Sequence, residues 1–262
     1  MLEVWKTGDQ LEVFESGWTF DHFYPIFSDP TGPCLEGWIS LAALAQATHR
    51  VRLGVMVTGI HYRHPAVLAN MAATLDIISG GRLELGVGAG WNQEESGAYG
   101  IELGSARERS DRFEEACEVL TGLLRDSTTD FDGRYYKLTA ARCEPKPIQS
   151  PVPICVGGSG EKRTLRTAAR FASHWNFVGG SPEDFARKRD VLHEHCAAIG
   201  RDPSEILLSS HVVLEPGGDV GQGIEFANRL GEEGLDLAIF YIRPPLQPKA
   251  LEELAEAITA AE

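Results

Sequence analysis

The chain has 262 residues, with 24 Lys and Arg against 38 Asp and Glu, and a net charge of −14. So acidic a surface repels duplex phosphates, which argues against nucleic-acid binding. No apolar run approaches the roughly 18 residues of a membrane-spanning helix, and the length and 43% hydrophobic content suit one globular domain, residues 1–262.

In chain order, Val4, Trp5, Leu11 and Phe14 recur at helical spacing and predict a helix over 3–14. Trp18–Asp21 follows Gly17 and reads as a short strand. A loop containing Pro25, Pro30, Gly32 and Pro33 leads to a helix over Leu35–His49. Arg52–Thr58 is an apolar strand and Ala66–Ile78 a helix, with Pro65 suited to its first turn. Leu83–Gly88 is a strand and Ser105–Arg125 a long helix. An irregular insertion over 126–150 holds a small hairpin at 131–136. Alternation then resumes: strand Ile154–Val156, helix Lys162–Ala172, strand Trp175–Val178, helix Pro182–Ile199, strand Ile206–Leu214, helix Ile224–Glu233, strand Leu237–Ile242, helix Pro248–Ala261. Short apolar strands alternating with helices predict a parallel sheet covered by helices. The reading yields seven such strands, and the chain opens on a helix, whereas a TIM (β/α)8 barrel opens on a strand. Either the sheet is open or a first strand is missing from this chain.

Cys34, Cys117, Cys143, Cys155 and Cys196 are widely spaced with no C-x-x-C pair. They read as reduced cytoplasmic thiols, neither a disulfide framework nor a zinc site. The N-terminus lacks the basic and apolar regions of a signal peptide. His193 and His195 fall on different faces of one helix, so no metal site is expected.

In a β/α barrel, ligands bind at the C-terminal ends of the strands. Asp21-His22-Phe23 ends a strand, and an imidazole there suits proton transfer; the alternative is a pair that only caps a loop. Thr58 to Pro65 carries His61 among aromatic and basic groups; the alternative is an ordinary helix cap. Gly86-Val87-Gly88-Ala89-Gly90-Trp91 offers small residues to a flat ligand, or else a tightly packed corner. It is G-x-G-x-G and so fails the dinucleotide fingerprint. Gly157-Gly158-Ser159-Gly160 opens a helix after a strand, and its backbone N–H groups suit a phosphate, with Lys162 and Arg163 adding charge; the alternative is a plain flexible turn.

TFDHF, the segment from Arg52 to Trp91 with its SGGRLELGVGAGW run, and PICVGGSGEKRTLRTAARFASHWNF together resemble the bacterial luciferase-like monooxygenase family, most closely its coenzyme F420-dependent oxidoreductases. The resemblance covers roughly residues 2–243. It implies a barrel of that type and a cofactor at the strand C-termini: F420, or alternatively FMN. The ring would lie against Val55, Met56 and Val57, with Thr58 at the strand end and a non-prolyl cis peptide at Val55–Met56 or one residue later. Asp21, Ala89 and Gly90 would flank the cofactor, Gly157, Gly158, Ser159 and Gly160 would meet its phosphate, and Trp175 would lie beneath it. His22 matches the active-site histidine of deazaflavin members, which serves as acid or base beside hydride transfer at C5. Ile26, His61 and Trp91 would line the substrate pocket. Ile26 replaces a Trp, and Trp91 a Glu, of the sugar-phosphate dehydrogenases, which argues against sugar-phosphate oxidation. The implied protein acts on a small molecule as a cytoplasmic homodimer. If FMN-dependent, it also needs a separate flavin reductase and uses oxygen; a degenerate cofactor-binding protein is the third reading.

Overall fold

The computed structural model describes residues 1–26, 28–215, 218–243 and 246–261. The elements run α1 (Leu2–Gln10), β1 (Ser16–Thr19), α2 (Gly37–Ala47), β2 (Arg52–Val55), β3 (Thr58–Gly59), α3 (Pro65–Ser79), β4 (Leu83–Gly88), α4 (Gln93–Ala98), α5 (Ala106–Arg125), β5 (Thr129–Asp132), β6 (Lys137–Ala141), β7 (Ile154–Gly157), α6 (Thr164–Phe171), β8 (His174–Phe177), α7 (Pro182–Ala198), β9 (Leu207–Leu214), α8 (Val220–Glu232), β10 (Leu237–Ile242) and α9 (Pro248–Ala261). Side-chain caps set several starts. Ser105 and Ser181 close capping boxes with Glu108 and Asp184, and Pro65 occupies the first turn of α3 behind a His64 cap.

One curled sheet follows the order β1-β2-β4-β7-β8-β9-β10, and every one of these pairings is parallel. The predicted strand over Arg52–Thr58 is interrupted. A cis peptide joins Met56 to Val57, and the chain returns to the sheet as β3, which pairs with the upper end of β4. The first strand lies two residues earlier than predicted, because Ser16–Thr19 is the segment in register with Arg52–Val55. Gly17 is needed there: a Cβ would lie 2.8 Å from the Trp5 ring of α1. Asp21 and His22 therefore sit beyond the strand end, on the loop. The hairpin of the 126–150 insertion is β5–β6, and Glu115 of α5 holds its turn by accepting the backbone N–H groups of Arg134, Tyr135 and Tyr136.

The sheet does not close. β1 and β10 are the two ends of its strand order, and no pairing joins them among the described residues. All four residues of β1 and all six of β10 are partly exposed, whereas all six of β4 are buried. Outside this gap α1 packs against α9.

The lower barrel interior holds a polar file. His174 Nδ1 meets Glu84 at 2.7 Å and its Nε2 meets Ser209 Oγ at 2.6 Å; Asn176 donates to Ser209, and Arg52 to Glu84. Burial opposes ionisation of Glu84, but His174 and Arg52 outweigh it and hold the carboxyl below its usual value of 4.5. The folded carboxyl thus releases its proton at lower pH than the unfolded one. Its stabilisation is present above about pH 5 and is lost as pH falls through the native value. Glu84→Gln is expected to cost about 3 kcal/mol near neutrality by breaking the buried pair. It should also flatten part of the acid-side loss, read by urea unfolding across that range.

Candidate active site at the strand C-terminal ends

A cavity of about 1500 Å³ opens at the C-terminal ends of the strands and continues down the gap between β1 and β10. Asp21, His22, Ile26, Met56, His61, Ala89, Gly90, Trp91, Gly157 and Gly158 all line it. Val55, Thr58 and Trp175 are fully enclosed and form the wall behind it. Thr58 accepts a hydrogen bond from the Trp38 indole at 2.9 Å. Ser159 and Gly160 sit on the loop at its edge, outside the lining. Residue 27, within the 23–34 segment above the cavity, lies outside the described residues.

The glycines of β4 form the tightly packed corner, the second of the two readings of this run. A Cβ on Gly86 would stand 1.9 Å from the Val55 carbonyl oxygen, and one on Gly88 would stand 2.7 Å from a Val57 methyl. A Cβ on Gly157 would stand 2.9 Å from the other Val57 methyl. These positions are small because the Val55 carbonyl and the Val57 side chain occupy the space a Cβ would need. Met56 and Val57 line the cavity together with Gly88, Gly157 and Gly158. Gly90, at φ +82°, makes room for the His61 ring.

His22 is held from behind. Its Nδ1 lies 2.7 Å from Glu95 Oε2, and its side chain is only 11% exposed. Glu95 projects from α4, a helix the sequence reading missed, and is completely buried. Oε1 accepts the Phe23 N–H at 2.6 Å, and Oε2 also accepts the Tyr62 hydroxyl. Burial opposes ionisation of Glu95, yet the donors Tyr62, Phe23 and His22 outweigh it and hold the carboxyl below its usual range. Burial and Glu95 together push the Tyr62 phenol well up. The rings of Phe20 and Trp91 flank the imidazole at 5.7 and 5.6 Å. Asp21 faces away from this cluster, into an ion pair with Arg63. Its carboxyl is still raised by burial, which exceeds the Arg63 contribution. Burial pushes His61 down to about 4, so it is neutral at physiological pH.

On the far wall the Trp175 indole donates to the Gly158 carbonyl at 2.8 Å, and the Gly158 N–H to Asn176 at 3.2 Å. Gly158 takes φ +124°, a conformation disfavoured for side-chain-bearing residues. The Ser159 hydroxyl is shielded from solvent without a hydrogen-bond partner. α6 begins beside it without a side-chain cap. These features suit an anionic group. Arg163 does not contribute as its position in the sequence suggested: it turns outward to Asp111 and Glu114 of α5. Lys162 is exposed. No cluster of His, Cys, Asp and Glu able to hold a metal occurs among the described residues. No helix among them is long and apolar enough to cross a membrane.

The profile of the luciferase-like monooxygenase family matches residues 12–216. The chain belongs to that family. An uncharacterized protein of Mycobacterium tuberculosis is 33% identical over 168 residues, 64% of this chain and 58% of that protein. The chain thus spans little more than half the length of this luciferase-like relative. An F420-dependent glucose-6-phosphate dehydrogenase of Kineococcus radiotolerans is 32% identical over 214 residues, 80% of this chain and 62% of its own. An F420-dependent secondary alcohol dehydrogenase, solved with an F420–acetone adduct, superposes with a TM-score of 0.88 at 22% identity. The superposition covers all of this chain and 94% of that one, and shows a shared fold.

Around this curled sheet, sequence reasoning missed Glu95, Tyr62 and the packing role of Val57. Glu95 had a legible signal. Asn92 lies three residues before it and caps α4 by accepting the Glu95 N–H at 3.1 Å, the spacing of a helix start.

Proposed function

We propose that this protein is an oxidoreductase that exchanges a hydride between coenzyme F420 and a small organic substrate, with His22 moving the accompanying proton. The observation that carries the reading is the His22 imidazole, anchored through Nδ1 on a buried carboxylate, in the wall of the cavity that Met56, Val57 and Gly90 also line. The F420-dependent relative at 32% identity supports the deazaflavin over FMN. When bound, the deazaflavin supplies a carbon that accepts or donates hydride. The residues present suit such a group. Met56, Val57 and Ala89 line the cavity for the ring, and the Gly157–Gly160 loop holds the unpartnered Ser159 hydroxyl near the uncapped start of α6, where a phosphate would lie. His22 accepts or releases a proton at Nε2, and Phe20 and Trp91 keep water from its flanks.

The same fold supports a second reading, an FMN-dependent monooxygenase, because the family takes its name from that chemistry. Titration of the protein with F420 and separately with FMN, followed by fluorescence, decides between them. Tight binding of F420 alone supports hydride transfer, tight binding of FMN alone moves the reading to oxygen chemistry, and binding of neither, also after a strand is added upstream, favours the degenerate protein. Gly158→Val is expected to weaken F420 binding at least tenfold, since valine is strained at φ +124° and its Cβ would lie 3.1 Å from the Thr164 methyl. Unchanged affinity would remove the loop from the site. We also propose that the gap between β1 and β10 takes one more parallel strand to complete the (β/α)8 barrel. The unpaired strand ends and their half-exposed residues support this.

A further inference from the structure

Among the described residues, His22, His61 and His211 bring imidazoles to the cavity wall, so something must single out one of them for proton transfer. His61 is committed. Ser96 Oγ donates to the Asn92 carbonyl at 2.7 Å, so its contact with His61 Nε2 at 3.1 Å is one in which the imidazole donates. The remaining Nδ1 lone pair is shielded from solvent and unpartnered. Burial also keeps this ring unprotonated. His211 stands on β9, beside the gap, with Ile239 of β10 as its register partner.

His22 differs because of what lies behind it. The Glu95 carboxylate accepts the Phe23 N–H on Oε1 and the Tyr62 hydroxyl on Oε2, the oxygen that also faces His22 Nδ1. These two donors hold the buried carboxyl below its usual range, so near neutrality it is ionised and can only accept. Glu95 is therefore an acceptor throughout, and the His22 nitrogen facing it carries hydrogen. Tyr62 remains a donor, because burial and Glu95 oppose loss of its proton. It fixes the second lone pair of Oε2, so the carboxylate cannot rotate away from His22 without losing a buried partner.

We propose that Glu95, steadied by Tyr62, is the positioning residue of this site: it holds His22 as the Nδ1–H tautomer, which leaves Nε2 as the nitrogen that exchanges a proton with substrate. The proposal deepens the reading of His22 as the acid or base and rests on it. Its structural half, the tautomer, is testable without cofactor or substrate.

The experiment is nitrogen-15 NMR of the histidine-labelled 262-residue chain, with the His22 signals assigned by their loss in His22→Asn. In the wild type, neutral His22 is expected to show a protonated Nδ1 and a bare Nε2. In Glu95→Gln the side-chain amide presents one acceptor oxygen where the carboxylate had two, so His22 is expected to shift measurably toward the Nε2–H form. The dissociation constant for F420 should stay within about threefold, because Glu95 lies behind the histidine. Tyr62→Phe keeps the carboxylate and should retain the Nδ1–H tautomer. A wild-type spectrum with hydrogen on Nε2 overturns the proposal by itself, even if Glu95→Gln does not fold. A folded Glu95→Gln that keeps the Nδ1–H tautomer overturns it too. If the tautomer shifts as expected while His22→Asn keeps full turnover, the anchor stands and the acid–base reading of His22 fails.

Discussion

His22→Ala is expected to lower turnover of F420 by about 10²–10⁴-fold, the usual loss when a general acid or base is removed. Its affinity for F420 should change by less than about threefold. The separation follows from the geometry. The imidazole is tied at Nδ1 to Glu95 and flanked by Phe20 and Trp91, whereas the proposed phosphate contacts lie on the opposite wall at Gly157–Gly160. Removing the ring leaves that wall untouched and leaves Glu95 with Tyr62 and the Phe23 N–H as partners. The measurement is bleaching of the F420 chromophore with neutral secondary alcohols as probes, set beside a fluorescence titration of the cofactor. Lost binding with unchanged turnover per occupied site would make His22 a binding residue and sink the acid–base role.

The alternation of strand and helix was legible because the strands are short and mostly apolar and several of the helices carry their own start signal. Ser105, Ser181 and Pro65 mark three such starts. His22, Gly90 and the Gly157–Gly158 turn were legible because a barrel places ligand chemistry where its strands end. What could not be read were relations across the chain. Glycines in a G-x-G-x-G run look the same whether they face a ligand or a side chain. Only the fold shows Val57 against Gly88 and Gly157. Arg163 stands beside a glycine loop in sequence but finds Asp111, 52 residues earlier, at 2.5 Å. Glu95 sits in NQEESGA, a six-residue helix too short and polar for periodicity to reveal, and its partners lie 72 and 73 residues upstream and 33 upstream. Burial of a charge is a tertiary fact, and local pattern carries little of it.

A chain extended upstream of Met1 by a strand-forming segment is expected to melt at a temperature roughly 5–15 °C higher. In a right-handed crossover, a strand that feeds α1 lies beside β1, and the free side of β1 faces the gap. The segment should alternate Val or Ile with Thr over about five residues, followed by a short loop. Ordering it costs about 1–2 kcal/mol of backbone entropy per residue. Against this stand ladder bonds to both β1 and β10, worth about 1 kcal/mol net each, and burial of apolar surface from Trp5, Leu237 and Ile239, at about 25 cal/mol per Å². A net gain of about 2–4 kcal/mol corresponds to that rise for a domain of this size. The cofactor should also bind more tightly, since the cavity that reaches His22 now drains through the gap. The control is a Gly/Ser extension of equal length, which can pair but brings no side chains to fill the space. Hydrogen exchange gives the second reading. Protected amides in the extension and in β1 and β10 mark a seated strand, while an unshifted melting temperature with freely exchanging extension amides shows that the gap is not a strand site.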